Sequence, residues 1–268
     1  MLELSRHGVG GKLMKERTSR RSFLRAAGAA GIAVVCPRCT GRQDGPPGGR
    51  RKKRLAMVID MRKCQGREDC TKCSDACHRV HNVPTVAAKG EEVKWIWKEP
   101  FGNALPGQEH AYLEGGLGGK PVVVLCNHCA RPPCVRVCPT AATWKRESDG
   151  VVMMDQHRCI GCRYCMVACP YGARSFNWSD PREHLDREAR SGDFPTRTRG
   201  VVEKCNFCAD RLARGIPVPA CVEACPEKAL VFGDLEVKDS EIRKLLDSRF
   251  TIRRKPGLGT EPHVFYLV

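Results

Sequence analysis

The distribution of cysteine constrains this chain more than any other feature of its sequence. Sixteen of the 18 cysteines fall into four groups of four, each with at least one C-x2-C spacing. In chain order the groups are Cys64, Cys70, Cys73 and Cys77; Cys126, Cys129, Cys134 and Cys138; Cys159, Cys162, Cys165 and Cys169; and Cys205, Cys208, Cys221 and Cys225. The last three groups each end in Cys-Pro. Such repeated spacing predicts four metal-binding loops.

The third group indicates which metal centre these loops hold. Its spacing, C-x2-C-x2-C-x3-C-P, is the iron–sulfur run of bacterial ferredoxins. The two-residue spacing lets a loop curl around a [4Fe-4S] cubane, while the fourth cysteine points away and ligates the neighbouring cluster. Proline then ends the segment and turns the chain toward its next strand. Four groups that exchange fourth cysteines in pairs therefore predict two modules and four [4Fe-4S] clusters.

Two other uses of cysteine compete with this prediction. The fourth group alone, C-x2-C-x12-C-x3-C, fits a zinc site equally well. A disulfide framework is compatible with an even number of cysteines, but it predicts neither the repeated C-x2-C nor the recurring Cys-Pro. Beside the third group, we interpret the fourth as iron–sulfur. Cys36 and Cys39 stand apart from the groups, and we expect no ligand role for them.

The N-terminal region resembles an export signal. The stretch SRRSFLR, residues 19–25, matches the twin-arginine consensus and precedes a run rich in Ala and Gly, residues 26–35. That run is shorter than the roughly 20 apolar residues that span a bilayer. A twin-arginine substrate folds in the reducing cytoplasm, where thiolates bind metal before they meet an oxidising compartment. We therefore expect residues 1–54 to be signal and linker, and the protein to be periplasmic and peripheral to the cytoplasmic membrane.

The charge distribution argues against nucleic acid as a partner. The net charge is +16, but residues 1–54 hold 14 Lys/Arg against 3 Asp/Glu. The remaining 214 residues carry 32 basic and 27 acidic groups, so most of the basic excess belongs to the leader. No later segment reaches membrane length without charges, so we expect no transmembrane helix in this chain.

The secondary-structure pattern repeats around the groups. Short runs rich in apolar residues precede the groups at 55–60, 121–125, 150–155 and 200–204, and strands follow at 174–178 and 229–234. A hairpin turn is predicted at 148–150, a helix at 239–250 and an extended tail after it. We expect an α+β fold of two ferredoxin-like modules, with short strands and helices around paired clusters and with loop insertions.

From about residue 55 to its C terminus the chain resembles the four-cluster ferredoxin-like subunits of membrane-bound respiratory oxidoreductases. These subunits are the electron-transfer partners of dimethyl sulfoxide, polysulfide, tetrathionate and nitrite reductases. Within that family, the stretches CHRVHNVP, CPYGARSFNW and LGTEPHVFYLV and the leader are most similar to the periplasmic O-subunit branch of the Dsr membrane complexes of sulfur-metabolising prokaryotes.

The resemblance implies that group one pairs with group four and group two with group three. We name the implied ligand sets set I (Cys64, Cys70, Cys73, Cys225), set II (Cys205, Cys208, Cys221, Cys77), set III (Cys126, Cys129, Cys134, Cys169) and set IV (Cys159, Cys162, Cys165, Cys138). The chain departs from the family where five residues separate Cys64 from Cys70. His78 or His81 could replace Cys64 as a ligand, although we favour a structural role for both and for His128.

The same resemblance implies the domain boundaries. Residues 55–82 with 200–234 form one ferredoxin-like module and residues 121–178 the other; residues 83–120 are an insertion, and residues 235–268 are a C-terminal helix and tail.

Nothing in the sequence suggests a catalytic constellation of its own. The resemblance implies an electron-transfer subunit that relays electrons between an integral quinone-interacting subunit of the polysulfide-reductase membrane family and a multihaem cytochrome c, alongside further subunits of the membrane complex. The alternative is the iron–sulfur subunit of a molybdopterin-dependent reductase of the tetrathionate or polysulfide type, or of a formate-dependent nitrite reductase system. A zinc-binding or disulfide-rich exported module is the least favoured interpretation.

Overall fold

The computed structural model of the protein describes residues 52–65, 69–108, 110, 112, 114–186, 188 and 190–268. The predicted twin-arginine motif and Cys36 and Cys39 lie outside the described residues.

Short strands and helices alternate along this part of the chain. The strands are β1 (Leu55–Asp60), β2 (Ile96–Pro100), β3 (Pro121–Leu125), β4 (Thr143–Lys145), β5 (Val152–Met154), β6 (Ser175–Phe176), β7 (Val202–Glu203), β8 (Leu230–Asp234), β9 (Thr251–Ile252) and β10 (Val264–Leu267). The α-helices are α1 (Met61–Gln65), α2 (Lys72–His81), α3 (Phe101–Ala104), α4 (Pro133–Arg136), α5 (Tyr164–Val167), α6 (Ala209–Ala213), α7 (Ala220–Glu223) and α8 (Glu241–Ser248). Short 3-10 helices lie at Glu114–Gly119, Pro181–His184 and Pro256–Leu258. The predicted α+β class is confirmed.

The largest sheet joins distant parts of the chain in the order β8-β1-β10-β9. Strand β1 pairs antiparallel with β8, with Leu55 opposite Asp234, and parallel with β10, with Met57 opposite Val264. Because β1 has a partner on each edge and is covered on both faces, its sequence is an almost uninterrupted apolar run. The strand before group one is therefore held beside the strand after group four.

The two faces of this sheet bury different neighbours. Met57 and Ile59 point into the main core, whereas Ala56 and Val58 pack against Ile242 of α8, as the two-residue period of a strand requires. Helix α8 begins at Ser240, whose hydroxyl accepts a hydrogen bond from the Arg243 N–H. The predicted helix at 239–250 is thus confirmed with slightly shorter bounds.

Three further sheets are antiparallel pairs: β2 with β3, β4 with β5, and β6 with β7. The pair β4–β5 confirms the predicted hairpin, and its turn includes Gly150 at φ +78, a left-handed conformation that favours glycine. The pair β6–β7 joins the strand after group three to the strand before group four. The predicted runs at 150–155, 174–178 and 200–204 form strands of only two or three residues.

The segment predicted as an insertion, residues 83–120, contributes to the main core. It supplies β2, and its buried side chains include Trp95, Ile96 and Phe101. The Trp95 indole N–H donates to the Glu203 carboxylate at 2.8 Å, and Arg197 forms an ion pair with the same buried carboxylate. This network connects the segment to β7.

The predicted extended tail ends in β10, an inner strand of the largest sheet. In the described residues, none of the helices combines the length and the apolar character needed to cross a bilayer.

Candidate metal centres

Four cysteines from the two ends of the folded chain line one cavity. Cys64, Cys70 and Cys73 of group one face Cys225 of group four across a small cavity. Val123 and Leu230 complete an apolar wall. The β1–β8 pairing produces this arrangement, because α1 continues directly from β1 and Cys225 lies shortly before β8.

A second small cavity is lined by Cys126, Cys129 and Cys134 of group two and by Cys169 of group three. Its wall is formed mainly by proline and other apolar residues. Arg174 also lines it. The same three-plus-one composition indicates that the two cavities suit the same kind of occupant.

A third cluster of thiols lies deeper. Helix α2, which carries Cys77, packs against α7, which carries Cys221. Burial, reinforced by the nearby thiols of Cys205 and Cys221, raises the pKa of Cys77 well above its usual range. Cys208 contributes to the same effect. The fourth cysteine of group one therefore lies near the first three cysteines of group four.

Of the remaining four cysteines, Cys165 is buried, Cys138 and Cys159 are half-buried, and Cys162 is exposed. The thiol of Cys165 is close to that of Cys159. Cys138 follows α4, which packs against α5. Burial acts to raise the pKa of Cys138, but hydrogen bonds from the backbone and hydroxyl groups of nearby residues outweigh it and lower that pKa. Exposed apolar side chains, Ile160, Tyr164 and Val167, flank this region.

Seven of the sixteen grouped cysteines are buried and eight are half-buried, and this affects their ionisation. Burial raises the pKa of Cys64 and Cys73 to about 11 and that of Cys129 and Cys205 to about 12. The thiolate is the form that ligates metal, so these thiols must lose protons as metal binds.

Backbone N–H groups point at sulfurs in every ligand set. The backbone of Tyr171 and Ala173 donates to Cys169 of set III and acts to lower the pKa of that thiol, although burial outweighs it. Such bonds favour the charged thiolate, and hydrogen bonds to sulfur are one of the factors that set cluster potentials. The other three sets have bonds of the same kind. The Val202 amide donates to the Cys159 sulfur of set IV at 3.5 Å, and the Ala229 amide donates to the Cys225 sulfur of set I at 3.3 Å. In set II, the Phe207 amide donates to Cys205 at 3.4 Å and the Ala220 amide to Cys208 at 3.3 Å.

A single ion and a cluster place different demands on the spacing of their sulfur ligands. Across the described ranges no three Cys, His, Asp or Glu side chains converge on one metal-ion position. A tetrahedral zinc with Zn–S bonds of about 2.3 Å would draw its four sulfurs to within about 3.8 Å of one another. A cubane instead binds each thiolate at a different iron corner, so its ligands stand further apart.

None of the described residues that line the two cavities is a histidine. His81 stacks on Trp95 with ring centroids 4.5 Å apart, and its Nδ1 lies 3.0 Å from the Cys77 carbonyl oxygen. Burial lowers the pKa of His81 to about 4. His78, the other proposed alternative to Cys64, is half-buried, and burial lowers its pKa as well.

His128 lies at the junction between groups two and four. Its ring stacks on Phe207 with centroids 3.7 Å apart, and its Nδ1 accepts a hydrogen bond from the Val152 N–H. His128 lies between Cys126 and Cys129, and Phe207 lies between Cys205 and Cys208. The stack therefore brings two cysteine loops of different groups into direct contact.

Sequence reasoning missed two buried cations near the thiols. Lys204 donates to the carbonyl oxygens of Val152 and Cys205, and Arg174 lines the second cavity. Both residues are at most 5% exposed. The signal that could have found them was a basic residue inside an apolar run, VVEKC for Lys204, and at the start of the predicted strand 174–178 for Arg174.

Comparisons with known proteins agree with this chemistry. Two family models, both described as 4Fe-4S dicluster domain, match residues 122–184 and 158–230. The chain is 40% identical over 273 residues to the Hdr-like menaquinol oxidoreductase iron-sulfur subunit 1 of Archaeoglobus fulgidus, covering 92% of this chain and 97% of that protein. It is 39% identical to the menaquinone reductase iron-sulfur cluster-binding subunit of Nitratidesulfovibrio vulgaris, covering 81% and 89%. It is 36% identical to a tetrathionate reductase subunit of Salmonella typhimurium, covering 93% and 88%.

The chain belongs to the family of iron–sulfur subunits of respiratory oxidoreductases, and its dicluster domains are of the [4Fe-4S] type. This family membership confirms the predicted function as an electron-transfer subunit of an oxidoreductase.

Substitutions at two glycines test whether the loop that carries the exposed Cys162 depends on a close backbone contact. Gly161, between Cys159 and Cys162, has φ +71, and a Cβ there would clash with the Gly200 carbonyl oxygen. Gly172 has a similar φ of +62 but open space around it. We expect Gly161→Ala to displace the loop and lower the iron content per chain, while Gly172→Ala costs only about 1–2 kcal/mol of backbone strain.

Iron analysis and visible absorption of both variants, purified anaerobically, measure this difference. Equal iron content in the two variants would show that the close approach to Gly200 does not matter.

Proposed function

We propose that this chain carries four [4Fe-4S] clusters, bound by sets I to IV, as an electron relay at the outer face of the cytoplasmic membrane. The observation that carries the proposal is the grouping of sixteen cysteines into three-plus-one sets. Two sets line similar cavities, and in set II the thiol of Cys77 lies near those of the other three members. Cys64 lies in the first cavity, which supports it as a ligand in place of His78 or His81.

The order of the sets supports a continuous path. The His128–Phe207 stack brings the loops of sets III and II together. The thiol of Cys134, in set III, lies near the thiol of Cys165, in set IV. The thiols of Cys73 and Cys77, one helical turn apart in α2, link set I to set II. Because electron transfer slows steeply with distance, neighbouring clusters serve as a relay. The exposure of Cys162 makes set IV a suitable end for exchange with a redox partner.

We propose further that the complex belongs to the Dsr type of sulfur-metabolising prokaryotes. The relay would connect an integral quinone-interacting subunit of the polysulfide-reductase membrane family with a multihaem cytochrome c. The names of two relatives, a menaquinol oxidoreductase subunit and a menaquinone reductase subunit, support the link to quinone. The similarity to a tetrathionate reductase subunit supports the second candidate, the iron–sulfur subunit of a molybdopterin-dependent reductase.

The exchange of fourth cysteines is tested by Cys225→Ser. We expect this change to alter the spectrum of the cluster held by Cys64, Cys70 and Cys73, because Cys225 lines their cavity. The matched variant Cys221→Ser should instead alter the cluster of set II. Electron paramagnetic resonance of the reduced proteins distinguishes the two. If Cys225→Ser alters only the cluster of Cys205, Cys208 and Cys221, the crossed pairing is wrong.

The composition of the native complex tests the proposed partners. We expect a complex purified in mild detergent to contain haem c and no molybdenum, because a quinone-to-cytochrome relay needs no molybdopterin subunit. Pyridine haemochrome spectra and metal analysis give both quantities. A large molybdenum-containing subunit would favour the reductase candidate instead.

A variant that is not exported is the control for this experiment. The twin-arginine motif requires Arg20 and Arg21, so their double replacement by Lys should leave the chain in the cytoplasm and absent from the purified complex. Wild-type amounts of the double variant in the complex would contradict the proposed outer-face location.

A further inference from the structure

Arg174 is a buried arginine without an acidic partner in the described part of the chain. Its side chain is almost fully enclosed, with the residue 5% exposed. One terminal nitrogen donates to the Thr143 hydroxyl at 2.8 Å, and the other lies 3.7 Å from the Met154 sulfur. Neither partner carries a charge. Because a guanidinium does not lose its proton in proteins, a full positive charge is buried here.

Another buried arginine shows how this fold accommodates such a charge elsewhere. Arg197 is 3% exposed and forms an ion pair with Glu203. Burying a charge without a counter-charge is strongly unfavourable, and native proteins pair such groups or bring them to a metal centre. An anion other than an Asp or Glu of the described ranges would stabilise the charge of Arg174.

The surroundings of Arg174 show where that anion would lie. The side chain lines the cavity of set III, and it interacts with the thiols of Cys134 and Cys126, which belong to that set. It also interacts with the thiol of Cys165, which belongs to set IV. The guanidinium thus lies near cysteines of two of the proposed clusters.

We propose that the clusters of sets III and IV are the counter-charge of Arg174, and that this arginine raises the reduction potentials of both. The inference rests on the proposed function, because it requires clusters at these cysteines. A cubane with four thiolates is anionic, and reduction adds one further negative charge. A fixed positive charge in a dry site stabilises the reduced form more than the oxidised form. Arg174 is in this sense a tuning residue, not a ligand.

Two variants of Arg174 separate the effect of its charge from the effect of its shape. Arg174→Gln removes the charge and keeps a hydrogen-bond donor, whereas Arg174→Lys keeps the charge. In redox titrations of the full chain followed by electron paramagnetic resonance, Arg174→Gln should shift two of the four midpoint potentials downward and leave two unmoved. Arg174→Lys should stay close to wild type. Unshifted potentials in a Gln variant with full iron content, or equal shifts in both variants, would overturn the inference.

Arg163→Gln is the matched control. Arg163 adjoins Cys162 but is exposed, so solvent screens its charge, and we expect a smaller shift than for Arg174→Gln. An equal or larger shift would contradict the importance of burial. If Arg174→Gln loses iron, the Lys variant decides: retained clusters at wild-type potentials support the role of charge, and the same loss contradicts it.

Failure of the inference is distinguishable from failure of the proposed function. Wild-type protein without four cubane signals would overturn the proposed function. Wild-type protein with four such signals, and a Gln variant whose potentials do not move, would overturn only the role of Arg174.

Discussion

The pairing of β1 with β8 is the interaction on which the rest of the structure depends. These strands lie far apart in the sequence, and their ladder brings Cys225 into one cavity with Cys64, Cys70 and Cys73. Strand β10 adds a parallel partner on the other edge of β1, so the C terminus closes the same sheet. The packing of α2 against α7 holds the same two groups together. The proposed crossed sets I and II would in this sense be a consequence of the fold.

Burial of the thiols links the fold to its chemistry. The grouped cysteines pack with the apolar core, and several of them, Cys77 and Cys208 among them, are buried. Burial raises the pKa of Cys77 and Cys221 well above the usual range, so the neutral thiol is favoured until metal replaces the proton. In the proposed holoprotein the same dry surroundings strengthen the effect of amide dipoles and buried cations on the clusters. Metal binding would then contribute to the stability of a chain that has few aromatic residues, 6% of the total.

Much of this architecture could be predicted from the sequence. The apolar runs at 55–60 and 121–125 form strands with the predicted bounds, and the turn at 148–150 joins β4 to β5. Local patterns suffice there because each run is continuous and has the length of a strand. For residues 264–267 the sequence indicates only an extended tail, because parallel pairing with β1 depends on a partner near the other end of the folded chain. Arg174 and Lys204 could not be recognised as buried cations, since their burial arises from the packing of several groups together.

The iron and acid-labile sulfide content of anaerobically purified protein shows whether sixteen cysteines hold four cubanes. Four cubanes give about sixteen irons and sixteen sulfides per chain, four of each per cluster. Stoichiometric zinc with little iron, or about half this iron and sulfide in fully loaded protein, would rule out four cubanes.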